Sequence, residues 1–310
     1  MNNIICIAGP TASGKTALSI ALAKELDGEV VSCDSMQIYR RMDIGTAKPS
    51  KEEMDGIPHH MIDICEPDED FSVSRYCEMA SPIVDDILSR GKTAIIAGGT
   101  GLYMDSLIRG NDFAPFPATG HRERLEVRLD AEGLDALIAE LNAVDPESVV
   151  RAQNNPRRII RALEVWLETG ETITAHNLRT QAIPPKYDPV CFALEDENRQ
   201  DLYDRIDRRV TLMLEQGLVE EIKNLLSSGI PASATALQAI GYKEFVDALE
   251  GRCTMEEAAD KVRQSSRRYA KRQLTWFRRN PAMHWLRRTP DMGTEEIAAK
   301  ARQILRDLDK

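Results

Sequence analysis

The residues Gly9-Pro10-Thr11-Ala12-Ser13-Gly14-Lys15-Thr16 match G-x-x-x-x-G-K-S/T, the pattern of a phosphate-binding P-loop. The flanks are those such a loop requires. Asn3 to Ala8 is a short apolar run that reads as a buried parallel strand, and Thr16 to Leu26 has apolar residues at helical spacing. Between strand and helix, the loop amides and the helix N-terminus can converge on an anion. Lys15 adds a mobile positive charge, and the Thr16 hydroxyl offers a ligand for Mg²⁺. The motif predicts an α/β fold: a parallel sheet of nucleotide-kinase type, flanked by helices. It does not say which phosphate compound is held.

The next strand signal, Gly28 to Cys33, ends in Asp34-Ser35-Met36-Gln37-Ile38-Tyr39. Ligands of open parallel sheets bind outside the carboxyl ends of the strands, which brings Asp34 toward the P-loop. Its plainer reading is a turn or cap aspartate. Residues 43–49 form a turn-rich connector whose Thr46 and Lys48 either face the site or solvate a loop. His59 and His60 suggest a metal at first sight. Adjacent strand residues point to opposite faces, so packing or loop roles are expected instead. A helix is expected from about Ser72 to Arg90, closed by Gly91. The strand Lys92 to Ala97 ends in Gly98-Gly99-Thr100-Gly101-Leu102-Tyr103, which reads as a second wall of the same site, with Thr11 and Thr100 as phosphate or substrate contacts.

At Asn111 the texture changes to a Pro/Gly-rich loop, and strand signals stop. Helices are expected at 122–130, 134–143 and 155–167, the last capped by Asn155, opened by Pro156 and closed by Gly170. The expected organisation is therefore a core of residues 1–111, a helical insertion at 112–185, and a second core segment at 186–310. That segment resumes with a strand at 187–194, helices at about 199–215 and 219–226, a long helix at 254–279, a strand at 282–286 and a helix at 294–308.

Charge is unevenly spread. The net charge of −10 argues against a nucleic-acid partner. Yet on a helical wheel of 254–279, Val262, Ser266, Tyr269, Ala270, Gln273, Leu274 and Phe277 share one side, while Arg263, Arg267, Arg268, Lys271, Arg272, Arg278 and Arg279 share the other. Seven like charges without interleaved acids repel one another unless an anion meets them, so a polyanion surface is expected. The six cysteines are scattered without metal-ligand spacing, as in a reduced cytoplasmic protein. No signal peptide is expected at an N-terminus that begins directly in a strand, nor any membrane partner, since no apolar run is long enough to span a bilayer. A P-loop, an adjacent carboxylate, a helical insertion and a basic helix suit a kinase with a lid, or a group transferase acting on a nucleic acid. A nucleotide-dependent binding module fits them less well.

Six motifs in order resemble the tRNA dimethylallyltransferases, also called tRNA isopentenyltransferases, in their bacterial form. They are Gly9–Thr16, Asp34–Tyr39, Asp43–Pro49, Gly98–Tyr103, Arg161-Ala162-Leu163-Glu164-Val165 and Ile240-Gly241-Tyr242-Lys243-Glu244. The resemblance implies transfer of a dimethylallyl group from dimethylallyl diphosphate to N6 of the adenosine 3′-adjacent to a tRNA anticodon, by a monomer using Mg²⁺ on Thr16. Gly9, Pro10, Thr11, Ala12, Ser13, Gly14, Lys15 and Thr16 would bind diphosphate rather than ATP. Asp34 would be the general base, with Lys15, Thr100 and Arg122, or its neighbour Arg124, acting at the leaving group. Asp34, Ser35, Met36, Gln37, Arg157, Arg158, Ile159, Ile160, Arg161, Gln238, Gly241, Tyr242, Lys243, Arg268 and Arg272 would meet tRNA, the insertion gripping its anticodon stem-loop. The 157–161 stretch departs from the family pattern, which has Gln first and a small polar residue fourth.

Overall fold

A computed structural model describes residues 3–110 and 119–308. In chain order the elements are β1 (Ile4–Ala8), α1 (Lys15–Glu25), β2 (Gly28–Ser32), α2 (Lys51–Met54), β3 (His59–His60), α3 (Val73–Ser89), β4 (Thr93–Gly98) and α4 (Gly101–Arg109). They continue as α5 (His121–Glu132), α6 (Leu134–Val144), α7 (Pro146–Ala152), α8 (Pro156–Thr169) and α9 (Ile173–Gln181). The remainder is β5 (Val190–Asp196), α10 (Arg199–Glu215), α11 (Leu218–Ser227), α12 (Tyr242–Leu249), α13 (Met255–Phe277), β6 (Met283–Arg288) and α14 (Thr294–Leu308). The chain divides into two compact units, Met1–Gly110 with Lys186–Lys310, and Asn111–Pro185.

The first unit is built on a six-stranded sheet in the order β3-β2-β4-β1-β5-β6, every pair parallel. Every residue of β1 and β2 is buried, which is why both read as unbroken or nearly unbroken apolar runs. Alternate residues of β1 serve opposite faces: Ile5 and Ile7 pack with Leu18 and Leu22 of α1 and Ile297 and Ala298 of α14. On the other face α3 and α4 pack on β2 and β4, with the Tyr76 and Tyr103 rings stacked at 4.5 Å. A second core joins Ile38, Tyr39 and Met42 to α10, α11, α12 and α13 through Val210, Leu218, Ile222, Tyr242, Phe245 and Val262. From β1 the chain runs past β4 to β2, whereas from β4 it passes β1 to reach β5. This reversal opens a crevice at the carboxyl ends of β1 and β4, where the P-loop lies.

The second unit holds α5 to α9 around Leu125, Leu137, Leu141, Ile159, Ile160 and Leu163. Asn155 caps α8 by accepting from the Arg158 N–H, Pro156 begins it and Gly170, at φ 69°, ends it. α7 and α9 carry no periodic signal long enough to stand out in the sequence. α4 is hidden there by the glycines that precede it. The Pro/Gly-rich stretch expected from Asn111 lies outside the described residues as far as position 118. Among the described residues no helix is long and apolar enough to cross a membrane.

Candidate functional site

The P-loop backbone departs from ordinary conformations at three positions. Gly9 has φ 155°, Ala12 61° and Gly14 93°. Its carbonyls are held by cations: Lys15 Nζ donates to the Pro10 oxygen at 2.7 Å, Arg205 Nε to Ala12 at 2.9 Å and Arg288 to Ser13 at 2.9 Å. The loop opens on a cavity of about 430 Å³ within the first unit. Of the motif residues, Thr11, Lys15 and Thr16 line it, while Gly9, Pro10 and Ser13 are buried.

Asp34 lines the cavity wall across from Lys15. It takes the turn position of its plainer reading and lies on the same cavity as the P-loop. Oδ1 accepts from the Met36 N–H at 2.9 Å and the Gln37 N–H at 3.4 Å, an Asx-type turn, while Oδ2 has no hydrogen-bond partner among the described residues. The turn is braced by Thr100, whose hydroxyl accepts from the Ser35 N–H at 3.0 Å and donates to the Ser35 hydroxyl at 3.3 Å. Thr100 therefore braces Asp34 rather than lining the cavity itself. This bracing needs close strands: a Cβ on Gly98 would sit 1.9 Å from the Cys33 carbonyl oxygen. Burial lowers the Lys15 pKa to about 8, with Asp34 opposing the shift and Arg209 adding to it.

Gln37 lines the cavity and ties the Asp34 turn to the 43–49 loop, donating to the Thr46 and Ala47 carbonyls at 3.3 and 3.2 Å. The open choice for that loop is thereby divided. Thr46 faces the cavity, whereas the buried Lys48 ammonium pairs with Asp43 at 2.6 Å and Asp63 at 2.5 Å. The two histidines do point apart: His59 lines the cavity with Nδ1 on the Ile57 carbonyl, and His60 meets Glu29 at 2.9 Å. Ser35, Met36, Gln238, Gly241, Tyr242, Lys243 and Arg272 complete much of the wall. Tyr242 is fully buried, its hydroxyl donating to Glu221, which also caps the N–H groups of Asp43, Ile44 and Gly45.

Among the lining residues that escaped the sequence reading as site residues are Arg209, Gln273 and Tyr269. Arg209 of α10 is half-buried near Lys15 and Asp34, with Thr11 Oγ1 at 3.4 Å, and desolvation works against its charge. Gln273 accepts from the Thr11 N–H at 3.1 Å and donates to the Gly99 carbonyl at 2.9 Å, joining α13 to both glycine-rich turns. Tyr269 stands near Asp34 and Thr100; burial, then the Asp34 charge, pushes its phenol up to about 12. A wheel of α10 carries the one available signal, since Arg205 and Arg209 fall beside the apolar stripe of Leu202, Ile206 and Val210.

The basic helix differs from its expectation. Arg267 pairs with Asp207 of α10 at 2.5 Å, Arg263 with Asp260 at 2.7 Å, and Arg278 with Glu195 of β5. Asp207 and Glu195 from neighbouring elements, with Asp260 of the helix itself, thus neutralise part of that face. Arg268 and Lys271 are exposed and have no ion-pair partner among the described residues, and Arg272 lies over the Tyr269 ring at 5.5 Å. In the second unit Arg122 is bidentate on Glu164 at 3.1 and 2.9 Å, Arg161 shares that carboxylate at 2.8 Å, and Arg124 bonds the His121 ring. Arg157 and Arg158 are exposed, whereas Ile159 and Ile160 lie in that unit's core and offer no side-chain surface.

A P-loop, an unsatisfied carboxylate oxygen and a cavity large enough for a second reactant define a P-loop enzyme of the group-transferring class. The model of the IPP transferase family matches residues 37–280. A tRNA dimethylallyltransferase of Thermoanaerobacter sp. (strain X514) is 47% identical over 285 residues, 91% of this chain and 90% of the relative. The crystal structure of the tRNA isopentenylpyrophosphate transferase from Bacillus halodurans matches with TM-score 0.75 and 43% identity, covering 100% of this chain and 97% of that one. A eukaryotic dimethylallyltransferase, captured acting on tRNA, matches with TM-score 0.84 and 30% identity over 98% of this chain and 78% of its own. The chain belongs to the IPP transferase family, the tRNA dimethylallyltransferases.

Proposed function

We propose that the protein transfers the dimethylallyl group from dimethylallyl diphosphate to N6 of the adenosine 3′-adjacent to the anticodon in tRNA, releasing diphosphate. The observation that carries the reading is Asp34, which faces the P-loop lysine across one cavity with Oδ2 unpartnered among the described residues. N6 attacks the allylic C1, the C1–O bond to diphosphate breaks, and the N6 proton passes to Asp34 Oδ2. Adenine N6 is a weak nucleophile because its lone pair is delocalised, and a carboxylate that takes its proton as the bond forms offsets this. Lys15 and Arg209 neutralise the charge growing on the departing diphosphate. Thr100 and Gln37 hold the Asp34 turn in place.

Mg²⁺ suits the donors present. The exposed Thr16 hydroxyl lies in the first turn of α1 on the cavity, and no cluster of three His, Cys, Asp or Glu occurs among the described residues. Thr16 would hold the ion together with diphosphate oxygens and water, hard-oxygen donors of the kind that Mg²⁺ favours. When bound, the ion supplies further neutralisation of the leaving group.

The target base must leave its stack to enter, so Ser35, Met36, Gln37, Gln238, Gly241, Tyr242 and Lys243 are read as the wall it meets. Arg268 and Arg272 are assigned to RNA phosphates. Arg157, Arg158 and Arg161, on the insertion 112–185, are assigned to the anticodon stem-loop. Relatives spanning 91% of the chain are tRNA dimethylallyltransferases, which decides against the kinase reading of the P-loop alone.

The test mixes protein, Mg²⁺, dimethylallyl diphosphate labelled in the allyl group, and unmodified tRNA. Label is expected in RNA, at the adenosine following the anticodon. Consumption of ATP with a small alcohol, and no label in RNA, would overturn the proposal.

A further inference from the structure

Behind the P-loop, away from the bases and phosphates discussed above, sits a charge cluster that the reaction does not touch. Asp196 is the last residue of β5, with its side chain 1% exposed. It accepts from Arg205 of α10 at 2.6 Å and faces Arg288 of β6, its register partner, with Nε 3.6 Å from Oδ1. Both guanidiniums continue onto the loop, Arg205 to the Ala12 carbonyl and Arg288 to the Ser13 carbonyl, each at 2.9 Å. One buried carboxylate thus anchors two cations that grip consecutive peptide groups of the P-loop.

The geometry matters because a trans peptide is planar. A carbonyl turned toward a guanidinium turns the N–H of the next residue the opposite way. Arg205 therefore sets the Ser13 amide, which closes a turn onto the Pro10 carbonyl at 3.3 Å, and Arg288 the Gly14 amide, in the stretch where a P-loop gathers its anion. Ala12, held at φ 61°, has a conformation that a side-chain-bearing residue keeps only under external constraint.

The cluster is also incomplete. Asp196 Oδ1, Arg288 Nε and Ser13 Oγ are buried without a hydrogen-bond partner. The first two face each other across the 3.6 Å gap, slightly beyond bonding distance. A shift of a few tenths of an ångström between β5 and β6 would satisfy both.

We propose that Asp196 is a positioning residue for the reaction: acting through Arg205 and Arg288, it holds the Ala12 and Ser13 carbonyls outward, which fixes the turn that the Ser13 amide closes onto Pro10 and sets the Gly14 amide to receive diphosphate. The inference rests on reading the loop as a diphosphate cradle. Without the carboxylate, Arg205 and Arg288 repel each other and their hold on the carbonyls loosens. Asp196→Asn keeps the size and an acceptor while removing the charge.

The experiment measures inorganic diphosphate binding by calorimetry with Mg²⁺, and KM for dimethylallyl diphosphate and for tRNA separately. Asp196→Asn is expected to weaken diphosphate binding and raise the KM for dimethylallyl diphosphate about tenfold, the usual scale for a charge-assisted hydrogen bond, while leaving the KM for tRNA within about twofold. Arg288→Gln, which cuts the same link from β6, should move the same two quantities and serves where Asp196→Asn does not fold. A purely structural role would lower the active fraction and leave both KM values alone. Unchanged diphosphate binding in whichever variant folds overturns the proposal. Wild-type protein that binds no diphosphate and labels no RNA would overturn the cradle reading and this inference with it, a result distinct from the first.

Discussion

Lys15 loses its charge more readily than an ordinary lysine. Its ammonium donates to the Pro10 carbonyl, and burial lowers its pKa to about 8, while the usual lysine value is about 10.4. Below pH 8 the group is a cation ready to exchange a carbonyl for a phosphate oxygen; above it the cation is progressively lost. Diphosphate binding, which favours the charged form, should therefore weaken as pH rises through about 8 and take up protons there. Calorimetry in buffers of different ionisation enthalpy reads that uptake, and Lys15→Met should abolish it. If affinity is flat from pH 7 to 10, Lys15 is not the group that greets the anion. Asp34 allows a sharper separation of chemistry from binding. Asn keeps the Oδ1 acceptor for the Met36 N–H, so the turn persists, but Oδ2 can no longer take a proton. Asp34→Asn should lower kcat by roughly 10²- to 10⁴-fold, with tRNA affinity within a few-fold. A kcat within a few-fold of wild type would remove Asp34 as the base.

Helix α13 joins the two halves of the proposed site: Gln273 and Tyr269 turn toward the P-loop and Asp34, and Arg268 and Lys271 turn to solvent. Each phosphate neutralised by a cation contributes roughly 0.7 to 0.9 to the slope of log K against log salt. Charge reversal at Arg268 and Lys271 should therefore weaken tRNA binding and flatten that slope by about 1 to 2. Arg267→Gln, by contrast, removes a cation already committed to Asp207 and should cost stability more than slope. Equal slope changes from Arg267 and Arg268 would show that ion pairing within the protein does not ration the RNA-facing charge. The contrast also marks what the sequence could tell. The wheel of α13 put seven residues on one side, of which Val262, Ala270, Gln273 and Phe277 are buried and Ser266, Tyr269 and Leu274 half-buried, because helical periodicity is a local property. It could not show that Asp207 and Glu195 come to meet Arg267 and Arg278, since those acids belong to other elements. Arg209 and Gln273 were illegible as site residues for the same reason, lying 198 and 262 positions from the Thr11 groups they contact. The strand-loop-helix from β1 to α1, and Asp34 at the next strand end, were legible because motif and periodicity coincide within a few residues.

At the scale of the molecule the sheet has two differently employed ends. The carboxyl ends of β1, β2 and β4 carry the P-loop, Asp34 and the glycine-rich wall; the amino end of β2 carries Glu29, a buried acid on a strand otherwise fully apolar or small. Arg90 is bidentate on Glu29, His60 reaches it at 2.9 Å and Lys92 at 3.5 Å. These contacts bring the C-terminal end of α3 and the residue before β4 onto β2 and the edge strand β3, so the cluster locks the sheet margin rather than the chemistry. The hydrogen bonds from Arg90 lead in holding the Glu29 pKa at about 2, against the burial that would raise it. A carboxylate whose folded pKa is depressed stabilises the fold above its unfolded value of about 4.3, and that contribution is lost as pH falls from there through about 2. At neutral pH the shift corresponds to about 3 kcal/mol. Glu29→Gln should therefore lower Tm at pH 7 and flatten the acid limb of the stability curve between pH 5 and 2. Diphosphate affinity and kcat at neutral pH should stay within about twofold, since Glu29 does not line the cavity: on the strand it faces the side opposite to Val30 and Ser32, which do. Chemical denaturation across that pH range, run beside the transfer assay, separates the two ends: a variant with unaltered acid sensitivity would show that the Arg90 pairing does not carry the stability assigned to it, and a large loss of kcat would show that the two ends of the sheet are not independent.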